Sequence, residues 1–133
     1  MQDKTLYDLA CVRLDSAREC LAAGQLLLEH EQFKSASNRA YYAVFHAMRA
    51  VLAFDQIDRS KHSGIISEFR RRYIKEGVFD IKYSDTISSL YDSRQKSDYN
   101  DFYVISKDET RLQLQEAVEF VQEVDAYVHS KKI

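Results

Sequence analysis

Proline is absent from this chain of 133 residues, and glycine occurs only at positions 24, 64 and 77. Turn chemistry is therefore sparse, and an all-helical fold is strongly favoured over sheets. No apolar run approaches the roughly 20 residues that a bilayer span requires, and the opening Met1-Gln2-Asp3-Lys4-Thr5 lacks the apolar core of a secretory signal. A cytoplasmic protein with no membrane partner is expected. Cys11 and Cys20 stand on opposite faces of one helical stretch, which excludes a bond between them within that helix. Nineteen Lys and Arg against 21 Asp and Glu leave a net charge of -2. Nothing in that total demands nucleic acid, so any basic surface must be local. Glycine-rich phosphate loops, a nucleophile elbow and an HExxH stretch are missing too. His46 has no Cys, Asp or Glu one turn away to complete a metal set, and neither metal nor cofactor is expected.

What is present suits one helical domain over residues 1–133. From about Lys4 to about His30, Leu6, Leu9, Ala10, Leu14, Ala17, Leu21 and Leu28 recur at three- and four-residue steps, the mark of an amphipathic helix. Gly24 interrupts it, which is tolerable where a neighbouring helix crosses closely. After the polar break His30-Glu31-Gln32, a second helix spans about Phe33 to Phe54, antiparallel to the first. A loop over Asp55 to His62 leads to Ser63, a reasonable N-cap for a third helix carrying Ile65, Ile66, Phe69, Tyr73 and Ile74 and ended by Gly77. Its Arg70, Arg71, Arg72 and Lys75 are the most basic run of the chain. Such runs are most often solvated faces, with phosphate binding as the alternative. A fourth helix covers about Ile81 to Ser97, with Ile87, Leu90 and Tyr91 inward. The aromatic turn from Asp98 to Ile105 is expected to pack back on the bundle. Ser106 with Glu109 forms a capping box for a last helix with Leu112, Leu114, Ala117, Val118, Val121, Val124 and Val128 inward.

The second helix is apolar over most of its circumference. Ala36, Ala40, Ala43, Val44, Ala47 and Val51 make one close-packing face, while Asn38, Tyr42, Phe45 and Arg49 form a stripe on the far side. That stripe either satisfies buried neighbours, or meets a second subunit or lines a cleft, where amphipathic aromatics and Arg are favoured. Arg94 and Asp98 stand at i and i+4, able to pair on one helix face. With the Tyr99 phenol nearby they form a set able to hold a phosphate and a ribose hydroxyl. His62, with Lys61 and Ser63, is placed either to face phosphate at a helix N-terminus or simply to close the loop.

Three segments taken together, Ser35-Ala36-Ser37-Asn38-Arg39-Ala40-Tyr41-Tyr42-Ala43-Val44-Phe45-His46, Lys61-His62-Ser63-Gly64 and Arg94-Gln95-Lys96-Ser97-Asp98-Tyr99, resemble the HEPN family, the higher eukaryotes and prokaryotes nucleotide-binding domain. More narrowly, they are similar to its small stand-alone prokaryotic members encoded beside a minimal nucleotidyltransferase. The resemblance implies an up-and-down bundle of four to five helices, a homodimer, and a functional groove at the two-fold axis. Ribonucleases of the family carry an Arg, four to six residues and a His, and cut RNA without metal. The implied Arg is Arg94. Where the His should stand, this chain has Tyr99, Asn100 and Asp101, and Asp98 falls one place short. A carboxylate there needs burial or a like-charged neighbour to become a competent base near neutral pH.

Three functions compete. The first is a nucleotide- or RNA-binding module paired with a nucleotidyltransferase in a toxin-antitoxin-type system, contacting its ligand through Asn38, Tyr42, Arg49, Arg94, Asp98 and Tyr99. On the same resemblance, Tyr99 is a candidate for nucleotide addition by that partner. The second is a metal-independent ribonuclease using Arg94 and Asp98, and the third a helical adaptor for another protein.

Overall fold

The computed structural model describes residues 2–132, and among them every regular element is helical. α1 (Gln2–Glu29), α2 (Phe33–Leu52), α3 (His62–Phe69), α4 (Lys82–Tyr99) and α5 (Lys107–Ser130) follow one another in an all-α bundle. A 3-10 turn, Ala53–Asp55, closes α2, and a π-helical turn, Arg70–Ile74, extends α3. No described helix is long and apolar enough to cross a membrane.

α2 is the axis of the bundle and touches all four other helices. Its alanines 36, 40, 43, 47 and 50 are fully buried, and side chains that small let neighbouring backbones approach on several sides. Close crossing also accounts for Gly24. A Cβ there would lie 2.7 Å from Leu114 Cδ2 and 3.4 Å from Arg39 Cβ, so α1, α2 and α5 meet where only glycine fits without displacement. Two chain reversals use left-handed residues that are not glycine, Glu31 (φ 59°) and Gln56 (φ 57°). Turns with no glycine signal are thereby possible in a glycine-poor chain. Gly77 (φ 78°) does supply the left-handed residue after α3.

Several expectations from the sequence need correction. Ser63 is not the N-cap of the third helix. α3 opens at His62, after an extended Lys61 and with no side-chain cap, because the His62 ring is drawn inward onto α2. α4 continues to Tyr99, past Ser97. Leu9 and Leu112 are 39% and 54% exposed, whereas Gln113 is buried. α5 is rotated by a polar network in which Gln113 accepts from Ser37 and donates 2.7 Å to Ser93 Oγ, joining three helices. The aromatic turn packs back only in part. Tyr103 and Ile105 point inward while Tyr99, Phe102 and Val104 are 82%, 92% and 85% exposed. Asp101 and Phe102 stand at the tip of a turn closed by the Tyr103 N–H donating 3.1 Å to the Asn100 carbonyl, and beyond it Tyr103 and Ile105 turn to the bundle. The capping box is present: Glu109 N–H donates 3.1 Å to Ser106 Oγ.

Candidate functional site

The outer face of α2 looks onto the start of α3 and the second half of α4, and an imidazole lies at their junction. The His62 ring stacks on Phe45, centroids 4.0 Å apart, and on Tyr41 at 5.8 Å, with Tyr42 edge-on at 5.7 Å. Its Nδ1 lies 2.8 Å from Tyr41 Oη and 3.3 Å from Arg94 Nη1. The Arg94 guanidinium sits over the Tyr41 ring at 5.3 Å and the Tyr42 ring at 5.6 Å, and Arg39 lies 5.0 Å from Tyr42. An aromatic floor of this kind holds cations by their attraction to the ring faces while leaving donors free for an anion.

Arg94 Nε is 3.5 Å from Asp98 Oδ2, an ion pair too loose to count as a hydrogen bond. Among the described residues this buried nitrogen therefore has no hydrogen-bond partner, a situation that carries a desolvation penalty unless something else accepts from it. Beside it, Lys34, Asn38, Arg39, Ser97 and Asp98 line a groove of about 320 Å³. Asn38 is oriented by Arg39, whose Nη2 donates 2.9 Å to Asn38 Oδ1.

Further along α2, Arg49 meets Asp58 at 3.3 Å, and Arg13 of α1 approaches the same carboxylate oxygen at 3.6 Å. Arg13 Nη1 also donates 3.0 Å to the Arg49 carbonyl. His46, one turn before Arg49, is half-buried with Nδ1 unpartnered. Among the described residues, the buried side-chain nitrogens without partners are Arg13 Nε, His46 Nδ1 and Arg94 Nε. Native interiors pair such atoms, and all three lie along this one face.

The electrostatics follow from the crowding of cations. Burial first, then Arg94 and Arg49, pulls His62 below the usual imidazole value. Burial, then Arg49 and Arg39, does the same to His46. Both rings are thereby held neutral at pH 7. Burial pushes the Tyr41 phenol upward, so it keeps its proton. Among the described residues no cluster of three His, Cys, Asp or Glu side chains is arranged to hold a metal.

Asn38 and Asp98 thus line one groove, and Arg94 joins them through its pairing with Asp98 and its place over the Tyr42 ring. Arg49 stands further along α2 and grips Asp58, and Tyr99 points outward at the end of α4. The Asp98 side chain is 40% exposed and lies beside the Arg94 guanidinium. His62 is the residue that sequence reasoning undervalued. The Lys61-His62-Ser63-Gly64 segment marked it, but nothing local shows that a ring 32 positions from Arg94 touches it.

A small helical bundle whose central helix bears a cationic, aromatic-floored and histidine-containing face defines the class. Within that class the chain belongs to the HEPN domain family, whose model matches residues 10–131. A protein of Thermotoga maritima named "UPF0332 protein" is 29% identical over 116 residues, 87% of this chain and 88% of its own length. One of Methanocaldococcus jannaschii named "Putative toxin MJ0142" is 30% identical over 120 residues, 90% of this chain and 82% of its own. A "UPF0332 protein" of Archaeoglobus fulgidus is 28% identical over 121 residues, 91% and 96% of the two chains.

Proposed function

We propose that this chain is a nucleotide- or RNA-binding HEPN module that works as a homodimer, paired with a minimal nucleotidyltransferase in a toxin-antitoxin-type system. The observation that carries the reading is Arg94: a guanidinium on an aromatic floor, with a buried donor that has no partner among the described residues, paired with Asp98 at the wall of a groove. A phosphate would accept from that fork, Asn38 and Asp98 supply polar contacts for a ribose, and Tyr42 offers a ring edge to a base. The relative named "Putative toxin MJ0142" supports that biological setting. Tyr99, 82% exposed at the helix end, is accessible for nucleotide addition by the partner.

The test is fluorescence anisotropy with a short labelled oligoribonucleotide across a salt series. Binding that strengthens as salt falls, and that Arg94→Ala weakens about tenfold, is expected, since hydrogen bonds to charged groups are of that size. Salt-independent absence of binding would leave the helical adaptor. Co-purification with a small nucleotidyltransferase, light scattering at the mass of two chains, and mass spectrometry of Tyr99 after incubation with that partner test the remaining parts.

One observation favours a second reading, RNA cleavage, and moves its acid-base role from Asp98 to His62. While Arg94 Nη1 donates to His62 Nδ1, the neutral ring carries its proton on Nε2. A phosphate that takes the guanidinium frees Nδ1 to carry that proton toward Tyr41 Oη, leaving Nε2 a base. The 2′-oxygen then bonds to phosphorus as the bond to the 5′-oxygen breaks. The 2′-proton passes to Nε2, and the 5′-oxygen takes a proton from water. Products ending in 2′,3′-cyclic phosphate, formed in EDTA and lost in His62→Gln, are expected. Equal cleavage by His62→Gln would refute this assignment.

A further inference from the structure

Arg13 and Arg49 present a second anion-binding arrangement on the same face, and its present occupant is a poor match. Two guanidiniums from different helices, their side chains only 12% and 24% exposed, converge on one oxygen of Asp58, whose side chain is 55% exposed. One carboxylate faces two positive charges, and Arg13 Nε has no acceptor among the described residues. His46 Nδ1, also unpartnered, lies close enough to feel the charge of both arginines. The like charges of Arg13 and Arg49 oppose each other, so a doubly acceptor-rich anion satisfies the pair better than one carboxylate does.

The Asp58 carboxylate is held on its other oxygen by the Arg59 N–H at 3.0 Å, a contact within the same loop that can move with it. Asp58 belongs to the connection between the 3-10 turn and α3, where neither Asp58 nor its followers Arg59, Ser60 and Lys61 are buried. The segment is tied down on either side of Asp58, by buried Ile57, whose N–H donates 3.2 Å to the Leu52 carbonyl, and by Arg59, which pairs with Glu68 at 3.1 Å. A cavity of about 260 Å³ opens beside Arg13 and Asp58, with Leu6, Leu9 and Ile57 as apolar walls and Gln56 as a polar one. Displacing Asp58 would therefore expose both forks to a ligand without unpacking the core.

We infer that Arg13 and Arg49 form a second phosphate subsite, that Asp58 is the carboxylate a phosphodiester displaces from it, and that an RNA strand lies along α2 from Arg94 to this pair. The inference rests on the RNA-binding reading above and extends it. Asp58 sets the affinity from outside by competing with the ligand for the same guanidiniums.

Oligoribonucleotide binding by four variants of the full chain decides it. Asp58→Asn should raise affinity about threefold, the scale of an exposed ion pair, beyond whatever Asp85→Asn, an exposed carboxylate on α4, produces by charge alone. Arg13→Gln should lower affinity about tenfold and make the salt dependence shallower by about one counterion. Binding lost in Arg94→Ala but unchanged in both Arg13→Gln and Asp58→Asn would overturn the subsite and leave the binding reading intact. Absence of binding by the wild-type chain would overturn both. Because Arg13 is largely buried, Asp58→Asn, on an exposed loop, keeps the inference falsifiable if Arg13→Gln folds poorly.

Discussion

The two most basic regions of this molecule have opposite fates. In the π-helical turn after α3, Arg70 donates to Ser84 Oγ, the Ser84 carbonyl and Ser88 Oγ, while Arg71 and Arg72, joined by Arg59, converge on Glu68 at 2.7 to 3.1 Å. Every guanidinium of that run has a partner within the chain. Along α2 the arginines come from separate helices, share two carboxylates, and leave buried nitrogens unpartnered. Density of charge in sequence thus marks a structural network in one place, while a sparser set leaves buried donors unsatisfied among the described residues, which is the ground of the binding proposed above. The difference lies in whether the donors are already satisfied.

The sharpest break of that comparison would be a binding measurement on both regions. Arg94→Ala should lower RNA affinity about tenfold, whereas the double change Arg71→Ala with Arg72→Ala should shift it by less than about twofold, the small effect of removing exposed charges. If the second pair mattered as much, the distinction between satisfied and unsatisfied arginines would fail.

Stability against pH sharpens the same contrast from the other side. Hydrogen bonds from Arg72, Arg71 and Arg59, with the charge of Arg71, hold the Glu68 carboxyl at about 2. Its stabilising effect is complete above the ordinary glutamate range and is lost as pH falls from about 4.5 toward 2, where the unfolded chain binds a proton that the folded chain refuses. Thermal melts in acid should show that loss in the wild type and a shallower decline in Glu68→Gln, with RNA affinity at pH 7 unaffected.

Gly77, just past the basic turn, lies at φ 78° with no atom within 4 Å of a would-be Cβ. Gly77→Ala should therefore destabilise by about 1 kcal/mol through backbone strain alone, seen in urea denaturation, with binding untouched. The smallest effect belongs to the α2 face. Because His46 and His62 titrate below the usual value when folded, stability should decline as pH drops below about 6.5, where the unfolded chain takes up protons first. His62→Gln should flatten part of that slope between pH 7.5 and 5.5. An identical slope in the variant would mean that His62 is not held neutral.

The helices and most of the core were readable from spacing, because apolar residues at three- and four-residue steps have one stable arrangement in water. Leu112 and Gln113 show where that reading ends. The pattern favours leucine inside, but the partners of Gln113 come from Ser37 and Ser93, distant in the chain and invisible to a local period. The candidate site divides in the same way. Arg94 and Asp98 are one helical turn apart and their pairing follows from the sequence, as does the stripe of Asn38, Tyr42, Phe45 and Arg49 on one face of α2.

By itself the sequence determined an all-α bundle around an alanine-rich helix, since missing proline, scarce glycine and helical periodicity leave little else that buries the apolar residues. Only the tertiary structure decided that His62 meets Arg94 over the Tyr41 ring, that Arg13 and Arg49 share Asp58, and that the densest basic run is consumed internally. The physical reason is that a hydrogen bond or ion pair between helices depends on how they pack, whereas the spacing of residues along one helix depends only on the chain.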